Sequence, residues 1–463
     1  MLRSAFAGTV KRLFTTWMRN DSSFSIASAS RRNDSAKSAR LQSLSTSLSA
    51  TVSPWAGWFD GEIVTETGSA VGLRGRFRAM ISLSKRIEGL AQSEIRRMSR
   101  ESDRVGAINL GQGLCDLPTL PSVAEAAKAA IDGQQSTYTY AEGTLELRQA
   151  IAGKLERFNG ITADPMKEIV VTVGASGAFT STIHALLNPG DGILLMEPYY
   201  GYHLNTSLVS GLEPHYLTLQ PPDFKLTEEV LRASIKPNTR AMVVCTPSNP
   251  SGKMFTREEI EAVANVAREH DLLVITDEIY EYIRYDGREH ISPATVSDLR
   301  ERTVTIMGLS KTFSITGWRL GYVIAPPRLA AAITLCSDLF YICAPHPLQR
   351  GVTAGFSAPQ SFFDDMLTDY AEKRDILCGA LDDAGMKPIW PQGSYYVLAD
   401  VSHWGLATAK EASMTLLEGA KVASVAGSAF YRGKTGEGLL RFCFAKETDV
   451  LRDAGRRLRD FKP

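Results

Sequence analysis

The spacing of hydrophobic residues alternates between two patterns through the middle of the chain. Short apolar runs rich in β-branched residues predict buried strands, and stretches in which apolar residues recur every three or four positions predict amphipathic helices. Strands that alternate with helices build parallel sheets covered on both faces, so the predicted fold class is α/β. The predicted strands are 168–173, 192–196, 241–245, 272–275 and 303–306, and a tight turn at 174–177 is predicted before a helix at 178–187.

The flanking segments predict more helices and a few additional strands. Thr256 and Glu259 have the spacing of a capping box, which predicts a helix start. The other predicted helices are 82–98, 122–132, 145–158, most of 328–356, and 370–381. The remaining predicted strands lie within 391–400 and 438–444.

The first 50 residues differ from the rest in composition, with eight Lys and Arg, two acids and twelve serines. Such a start is typical of an organellar transit peptide. The alternative is that the working protein begins near Met80. In both cases we expect residues 1–79 to be poorly ordered and to take no part in catalysis. We expect a large domain at 126–345, and a smaller α+β domain formed by 80–125 and 346–463.

The bulk composition excludes several classes of function. Lys and Arg number 51 and so do Asp and Glu, so no charge excess indicates a nucleic acid or an anionic membrane as partner. The six cysteines show no CxxC pair and no metal-ligand spacing, which predicts reduced, mostly buried thiols of an intracellular protein. No apolar run is long enough to span a membrane. We expect a cytoplasmic protein, or one of the mitochondrial or plastid matrix if residues 1–50 are a transit peptide.

Lys311 is the first candidate for chemistry. It follows the predicted strand 303–306 among small and hydroxylated residues, and Arg319 comes shortly after it, between two glycines. A lysine can form a Schiff base with a carbonyl cofactor, and an arginine gives a bidentate fit to a phosphate. A lone lysine is more often a solvated surface residue, so the interpretation depends on the residues around it.

Three further polar residues stand at positions where burial is expected. Asp277 follows the strand 272–275, at the sheet edge where open parallel sheets bind ligands. Asn249 lies between two prolines, which fix its backbone. Arg441 lies in an apolar, alternating strand, where a cation needs either an internal acid or a bound anion as its partner.

Taken together, these residues resemble the class I/II aminotransferases, which are fold-type I enzymes that use pyridoxal phosphate. The similarity covers roughly residues 84–460 and is greatest to the aspartate, kynurenine and glutamine transaminase group. It implies a large domain with a mostly parallel sheet, a smaller α+β domain, and transfer of an amino group from an L-amino acid to a 2-oxo acid such as 2-oxoglutarate, in amino acid metabolism or biosynthesis. The residues that carry it are Asn249, Asp277, Tyr280, Ser310, Lys311 and Arg319.

The resemblance also implies a role for each residue. Lys311 would hold the cofactor as a Schiff base and then move the substrate α-proton, and Asp277 would keep the pyridine nitrogen protonated. Tyr280 and Asn249 would hydrogen-bond the ring oxygen. The other implied contacts are Ala175, Ser176, Ser310, Arg319 and Tyr138 around the phosphate, Tyr200 stacked on the ring, and Arg441, Asn249 and Gly113 at the substrate. Because the Tyr138 contact comes from a neighbouring subunit in the family, a homodimer with shared active sites is expected.

Two departures from the family pattern bear on the substrate and the phosphate. Gly308 stands where many members have a phosphate-binding serine, so Ser310, Ser176 or a backbone N–H would take over part of that contact. Ser176 stands where some aspartate-selective members have a lysine, which makes a dicarboxylic donor less favoured. The stretches 111–113 and 392–396 look more like the kynurenine and glutamine branch.

Other functions remain open on the same residues. A β-lyase acting on cysteine conjugates or cystathionine, or a cyclising synthase, shares the lysine, the aspartate and the arginine. The β-lyase would release pyruvate and ammonia without an added 2-oxo acid. A cofactor-sensing DNA-binding regulator is disfavoured, because the N-terminal extension shows no helix-turn-helix pattern.

Overall fold

The computed structural model describes residues 84–87, 90, 93–113, 115 and 117–463, together with the backbone of 63–64 and 70–71. The chain divides into two units, Met1–Ser82 and Leu83–Pro463. In the first unit, Ile63–Val64 (β1) and Ala70–Val71 (β2) pair antiparallel. Apart from these two strands, the predictions for residues 1–79 lie outside the described residues.

The second unit starts with a helix and a short strand, Glu94–Val105 (α1) and Ile108–Asn109 (β3). The prediction of one helix at 82–98 is wrong, because α1 starts after the extended Ser93 and a separate 3₁₀ turn occupies Lys85–Ile87. The helical spacing of apolar residues continues past Met98, and Gly106, in the left-handed conformation, ends the helix.

A seven-stranded sheet forms the centre of this unit. Its strands are Ile169–Val173 (β4), Gly192–Glu197 (β5), Glu213–Thr218 (β6), Thr239–Cys245 (β7), Leu273–Asp277 (β8), Thr303–Gly308 (β9) and Leu320–Ile324 (β10). The strand order is β4-β10-β9-β8-β7-β5-β6, and only β10 runs antiparallel to its neighbours. In β5, Ile193 and Leu195 pack into one apolar core while Leu194 and Met196 pack into another. Both faces of the sheet are therefore covered, as the α/β prediction requires.

Helices surround the two faces of this sheet and continue toward the C-terminus. Their bounds are Pro121–Asp132 (α2), Leu145–Lys154 (α3), Gly174–Leu186 (α4), Gly201–Val209 (α5), Glu228–Ala233 (α6), Arg257–Glu269 (α7), Leu309–Thr312 (α8), Pro327–Tyr341 (α9), His346–Gly355 (α10), Gln360–Asp383 (α11), Ala409–Ala420 (α12) and Thr448–Asp460 (α13). A π-helix at Leu155–Asn159 continues α3. The remaining 3₁₀ helices are Pro293–Thr295, Leu299–Arg302, Thr316–Trp318, Ser402–Trp404, Gly427–Ala429 and Lys434–Gly438.

Three of these helices test particular predictions. The capping box at Thr256 and Glu259 is confirmed at the start of α7. The predicted turn at 174–177 is wrong, because Gly174 has φ +68° and turns the chain directly from β4 into the first turn of α4. The predicted helix 370–381 is too short, since α11 starts directly after Pro359.

A second, antiparallel sheet lies toward the C-terminus, in the order β11-β12-β15-β14. Its strands are Lys387–Ile389 (β11), Tyr396–Asp400 (β12), Val425–Ala426 (β14) and Leu439–Cys443 (β15), and between them Val422–Ala423 (β13) pairs in parallel with β3. This pairing joins residue 108 to the C-terminal region, which is consistent with the predicted smaller domain; the domain boundaries stay a prediction. Among the described residues, no helix is long and apolar enough to cross a bilayer.

The six cysteines are all unpaired. Cys378 and Cys443 are buried and the other four are half-buried, so the prediction of mostly buried thiols is wrong for those four. Cys115 and Cys343 lie in loops, Cys245 ends β7 and Cys336 lies within α9.

Candidate active site

Lys311 lies on α8, the single helical turn that follows β9 at the edge of the central sheet. Its Nζ atom donates a hydrogen bond to the carbonyl oxygen of Gly113 at 3.4 Å and lies 5.5 Å from the centre of the Tyr395 ring. Burial lowers the pKa of Lys311 to about 8. The amine is thus oriented by its neighbours, and about a tenth of it is neutral at pH 7, far more than for an ordinary lysine, which suits a nucleophile or base.

Asp277 is the last residue of β8 and is buried. Its Oδ2 atom lies 3.0 Å from Nε2 of His203, a buried residue of α5. The ring of Phe179 packs 4.7 Å from the imidazole, and the ring of Tyr200 meets it edge-on at 5.3 Å. These contacts fix both the imidazole and the carboxylate that it supports.

His203 was missed by the sequence reasoning, although a signal for it existed. It stands three residues after Tyr200, a spacing that puts the two side chains on one face of a helix when α5 starts at Gly201. Burial of Tyr200 raises the pKa of its phenol, so the hydroxyl stays neutral.

The start of α4 and the side chain of Arg319 form an anion-binding corner. Nη2 of Arg319 donates to Oγ of Ser176 at 3.0 Å, and Nη1 donates to the carbonyl of Thr316 at 3.0 Å. The guanidinium packs against Gly174, where a Cβ atom would lie 2.6 Å from Nη2. The first N–H groups of the 13-residue helix α4 are free of intrahelical partners, and an exposed cation faces them.

Steric crowding explains why position 308 is a glycine here, where many family members have a serine. A Cβ atom at this position would lie 2.9 Å from Cγ2 of Ile279, closer than side chains normally approach. Ser310 and Ser176 both line the cavity that Gly308 faces, so hydroxyl groups are present there without a serine at 308.

One cavity collects seven of the twelve residues predicted for the site. The seven are Ala175, Ser176, Tyr200, Asp277, Ser310, Lys311 and Arg319. The lining also contains His203 and Tyr202, and the hydroxyl of Tyr202 accepts a hydrogen bond from Nε of Arg96 at 3.3 Å. Four separate stretches of sequence therefore line one cavity, which contains an amine, a carboxylate and a guanidinium group.

Arg441 is fully buried on β15 next to Asn249. Its Nη1 atom donates to Oδ1 of Asn249 at 2.9 Å and its Nη2 atom donates to the carbonyl of Gly111. The guanidinium carbon lies 4.3 Å from the centre of the Tyr396 ring. In the described part of the chain it has no acidic partner, and its Nε atom has no hydrogen-bond partner. A buried cation in this state favours a bound anion over an internal ion pair.

A cluster of buried tyrosines connects Lys311 to Arg441. Tyr280 donates from its hydroxyl to that of Tyr396 at 3.5 Å, and Tyr395 donates to the carbonyl of Gly113 at 3.2 Å. A Cβ atom at Gly113 would lie 1.8 Å from the hydroxyl oxygen of Tyr396, so the backbone packs directly on that phenol. Burial raises the pKa of Tyr280 well above its usual value, which keeps the phenol a neutral hydrogen-bond donor.

Of the five predicted residues outside this cavity, four lie among the contacts around Arg441 and the buried tyrosines, and they are Gly113, Asn249, Tyr280 and Arg441 itself. Tyr138 is in neither group. Its side chain is 77% exposed, and that of Tyr140 is 80% exposed. Leu335 and Leu339 on α9 are also largely exposed.

The side chains present fit pyridoxal phosphate. Lys311 offers an amine to the aldehyde, Asp277 offers a buried carboxylate to a protonated ring nitrogen, and Ser176 and Arg319 at the start of α4 offer donors to a phosphate. Arg441 adds an unsatisfied donor for a substrate carboxylate.

Comparison with known proteins gives a consistent result. Residues 105–458 match the family model of aminotransferase class I and II. An aspartate aminotransferase of Pyrococcus abyssi is 34% identical over 382 residues, which cover 82% of this chain and 97% of that protein. Kynurenine–oxoglutarate transaminase 3 of Rattus norvegicus is 32% identical over 400 residues, which cover 80% of this chain and 88% of that protein. The solved structure of N-succinyldiaminopimelate aminotransferase from Mycobacterium tuberculosis matches with a TM-score of 0.79 at 32% identity, covering 82% of this chain and 100% of that one.

Proposed function

The chain belongs to the class I and II aminotransferases, and we propose on this premise that Lys311 and the residues around it transfer an amino group from an L-amino acid to a 2-oxo acid. Enzymes of this family use pyridoxal phosphate. The proposal rests on one observation, which is that three groups line the same cavity. They are the amine of Lys311, whose pKa is lowered, the carboxylate of Asp277, and the guanidinium of Arg319 at the proposed phosphate site.

The cofactor, when bound, supplies a protonated pyridine ring that accepts the electron pair released when the substrate α-carbon loses its proton. Asp277 would hold the proton on the ring nitrogen, and His203 keeps that carboxylate in place. Tyr280 and Asn249 would donate to the ring oxygen, and Tyr200 would lie against the ring. Ala175, Ser176, Ser310 and Arg319 would hold the phosphate, which fixes the ring relative to Lys311.

Arg441 would position the substrate, and Lys311 would transfer its α-proton. The fork of Arg441 would bind the α-carboxylate beside Asn249 and the backbone of Gly113, orienting the α-hydrogen toward Lys311. Nζ of Lys311 would accept that proton from the α-carbon and then donate it to a carbon atom of the cofactor. Its lowered pKa supports both steps, because the amine has to gain and lose a proton near neutral pH.

We further propose that two chains assemble and complete each other's sites. Tyr138, Tyr140, Leu335 and Leu339 expose large apolar surface, which a second copy would cover. In such a dimer the hydroxyl of Tyr138 would contact the phosphate bound by the partner chain. The unpaired state of all six cysteines supports a reducing compartment such as the cytoplasm.

The amino donor is best assigned by experiment, since the similar proteins carry different substrates in their names, among them aspartate, kynurenine and N-succinyldiaminopimelate. Because Ser176 replaces a lysine found in some aspartate-selective members, we propose a donor other than a dicarboxylic amino acid. The acceptor proposed is 2-oxoglutarate or a similar 2-oxo acid.

The test is an absorption spectrum of the purified protein after reconstitution with pyridoxal phosphate, beside Lys311→Ala and the surface control Lys128→Ala. Wild type and control are expected to show the band of a lysine-bound cofactor, which Lys311→Ala lacks. Addition of L-amino acids without a 2-oxo acid should convert that band with true donors. Cofactor binding that is unaffected by Lys311→Ala would contradict the proposal, and steady release of pyruvate and ammonia would indicate a β-lyase instead.

A further inference from the structure

The short helix α8 separates two cavities. Lys311 and Ser310 line the one described above, whereas Leu309 and Thr312 of the same helix line a second cavity of about 190 Å³. The proposed reaction uses nothing in this second cavity. Any molecule bound there would contact the helical turn that carries the catalytic lysine.

The wall of the second cavity is aromatic. Phe158, Tyr282 and Phe363 form a continuous stack, with ring centres 4.2 Å apart in the first pair and 4.6 Å apart in the second. Phe313 and Phe356 supply further rings, at 6.0 Å from each other. The three stacked rings are half-buried, so part of each ring faces the cavity. Such a wall binds a flat apolar body by stacking and dispersion.

The floor of the cavity is charged but internally neutralised. The amine of buried Lys154 bonds the carboxylate of Glu281 and donates to Oδ1 of Asn159 at 2.8 Å, and Nδ2 of Asn159 donates to the other carboxylate oxygen of Glu281 at 2.8 Å. The amine, the amide and the carboxylate are therefore hydrogen-bonded to one another. The floor therefore adds polarity without demanding a charged ligand.

The rim, in contrast, carries unused positive charge. Arg157 lines the cavity and is exposed, and the guanidinium of Arg284 lies 5.5 Å from the centre of the Phe158 ring. Within the described residues, neither arginine has an acidic partner. Arg157 and Phe158 both belong to the π-helix, a local widening of α3 that occurs frequently at functional sites. Nε of Arg284 donates to the carbonyl of Arg288 at 2.8 Å, so that hydrogen bond neutralises none of its charge. Two guanidinium groups without acidic partners beside stacked rings attract an anion rather than a cation.

We propose that this second cavity binds a planar aromatic carboxylate, with its ring against the stack of Phe158, Tyr282 and Phe363 and its carboxylate at Arg157 and Arg284. The site is distinct from the carboxylate site at Arg441, and it does not depend on the proposed transamination. Through Leu309 and Thr312 the bound acid contacts α8 and thereby alters the position of Lys311.

The test is calorimetric titration of indole-3-acetate into the reconstituted holoenzyme. We expect two binding events per chain in wild type, one of which is lost in Arg441→Leu. The other should weaken about tenfold or more in Arg157→Ser/Arg284→Ser, since each charge-assisted hydrogen bond contributes on the order of one decade in affinity. Arg257→Ser removes an exposed arginine that lines neither cavity and should leave both events unchanged.

A second variant tests the cavity itself. Ala358→Trp places a large ring in the lining and should abolish the Arg441-independent event. In wild type the second event should also change the KM of the amino donor without competing with it. A single binding event per chain that disappears in Arg441→Leu, or a second event that survives both the double arginine variant and Ala358→Trp, would overturn the proposal. Absence of transamination would leave this titration interpretable, because it measures binding.

Discussion

His203 holds Asp277 by a contact of 3.0 Å between Nε2 and Oδ2, and both side chains are buried. The imidazole is itself fixed by the rings of Phe179 and Tyr200. A carboxylate restrained in this way keeps one orientation, which suits a group that has to face a single ring nitrogen. The pair also keeps the buried charge of Asp277 hydrogen-bonded, as burial requires.

Replacing His203 should therefore reduce catalysis more than cofactor binding. His203→Phe keeps the aromatic packing but removes the hydrogen bond, and we expect kcat to fall roughly 10- to 100-fold, the range for one lost hydrogen bond to a charged group. His203→Gln, which can still donate, should recover part of this loss. The measurement is kcat with saturating pyridoxal phosphate, and equal rates for wild type and His203→Phe would show that Asp277 needs no support.

Arg441 provides a second test, directed at the substrate. Arg441→Lys keeps a cation in the buried site but removes the fork that reaches Asn249 and Gly111. We expect kcat/KM for both the amino acid and the 2-oxo acid to fall about 100-fold or more, while the affinity for pyridoxal phosphate stays within about twofold. Steady-state kinetics with cofactor titration separates the two quantities. A large loss of cofactor affinity would argue against a substrate role.

The pH dependence of cofactor capture follows from the lowered pKa of Lys311. Only the neutral amine attacks an aldehyde, so the rate of capture by the apoprotein should rise with pH and level off above a midpoint of about 8, whereas an ordinary lysine gives a midpoint near 10.5. Stopped-flow absorbance from pH 6 to 10 measures this midpoint. The free ε-amine of N-acetyl-lysine is the reference, and a midpoint above about 10 in the protein would mean that burial does not act on Lys311 as described.

The steric explanation for the glycine at position 308 can be tested by substitution. Gly308→Ser restores the common hydroxyl but places Cβ against Ile279, so we expect weaker binding of pyridoxal phosphate than in wild type. Ile279→Ala removes the atom that stands 2.9 Å from the added Cβ, and the double variant should bind the cofactor better than Gly308→Ser alone. Cofactor dissociation constants for the four proteins form the cycle, and additive effects would mean that Ile279 is not the obstacle.

The sequence predicted five of the seven strands of the central sheet and missed β6 and β10. Strands such as β9 are buried on both faces and end at the sheet edge where parallel sheets bind ligands, so Asp277 and Lys311 could be predicted as site residues from their positions at strand ends. The aminotransferase resemblance added Arg441 and Asn249, whose mutual hydrogen bond joins distant parts of the chain.

What the sequence did not predict depends on tertiary contacts. His203 carries no local signal of its partner, because the carboxylate belongs to β8, which is distant from α5 in the sequence. The stack of Phe158, Tyr282 and Phe363 likewise joins three separate segments. The start of α1 at Glu94 was missed because apolar spacing alone does not distinguish one long helix from a 3₁₀ turn at Lys85–Ile87 and a separate helix that starts after Ser93.

The proposed sharing of active sites between two chains depends on Tyr138. Tyr138 and Tyr140 are almost equally exposed and stand two residues apart, so they form a matched pair. If a partner chain presents Tyr138 to the phosphate, Tyr138→Phe should raise the dissociation constant of pyridoxal phosphate about tenfold, the effect of one hydrogen bond to a charged group, and Tyr140→Phe should not. Fluorescence titration measures the affinity and light scattering the assembly state. Equal affinities in a confirmed dimer would remove Tyr138 from the phosphate site, and a monomer with full cofactor affinity would remove the need for a partner altogether.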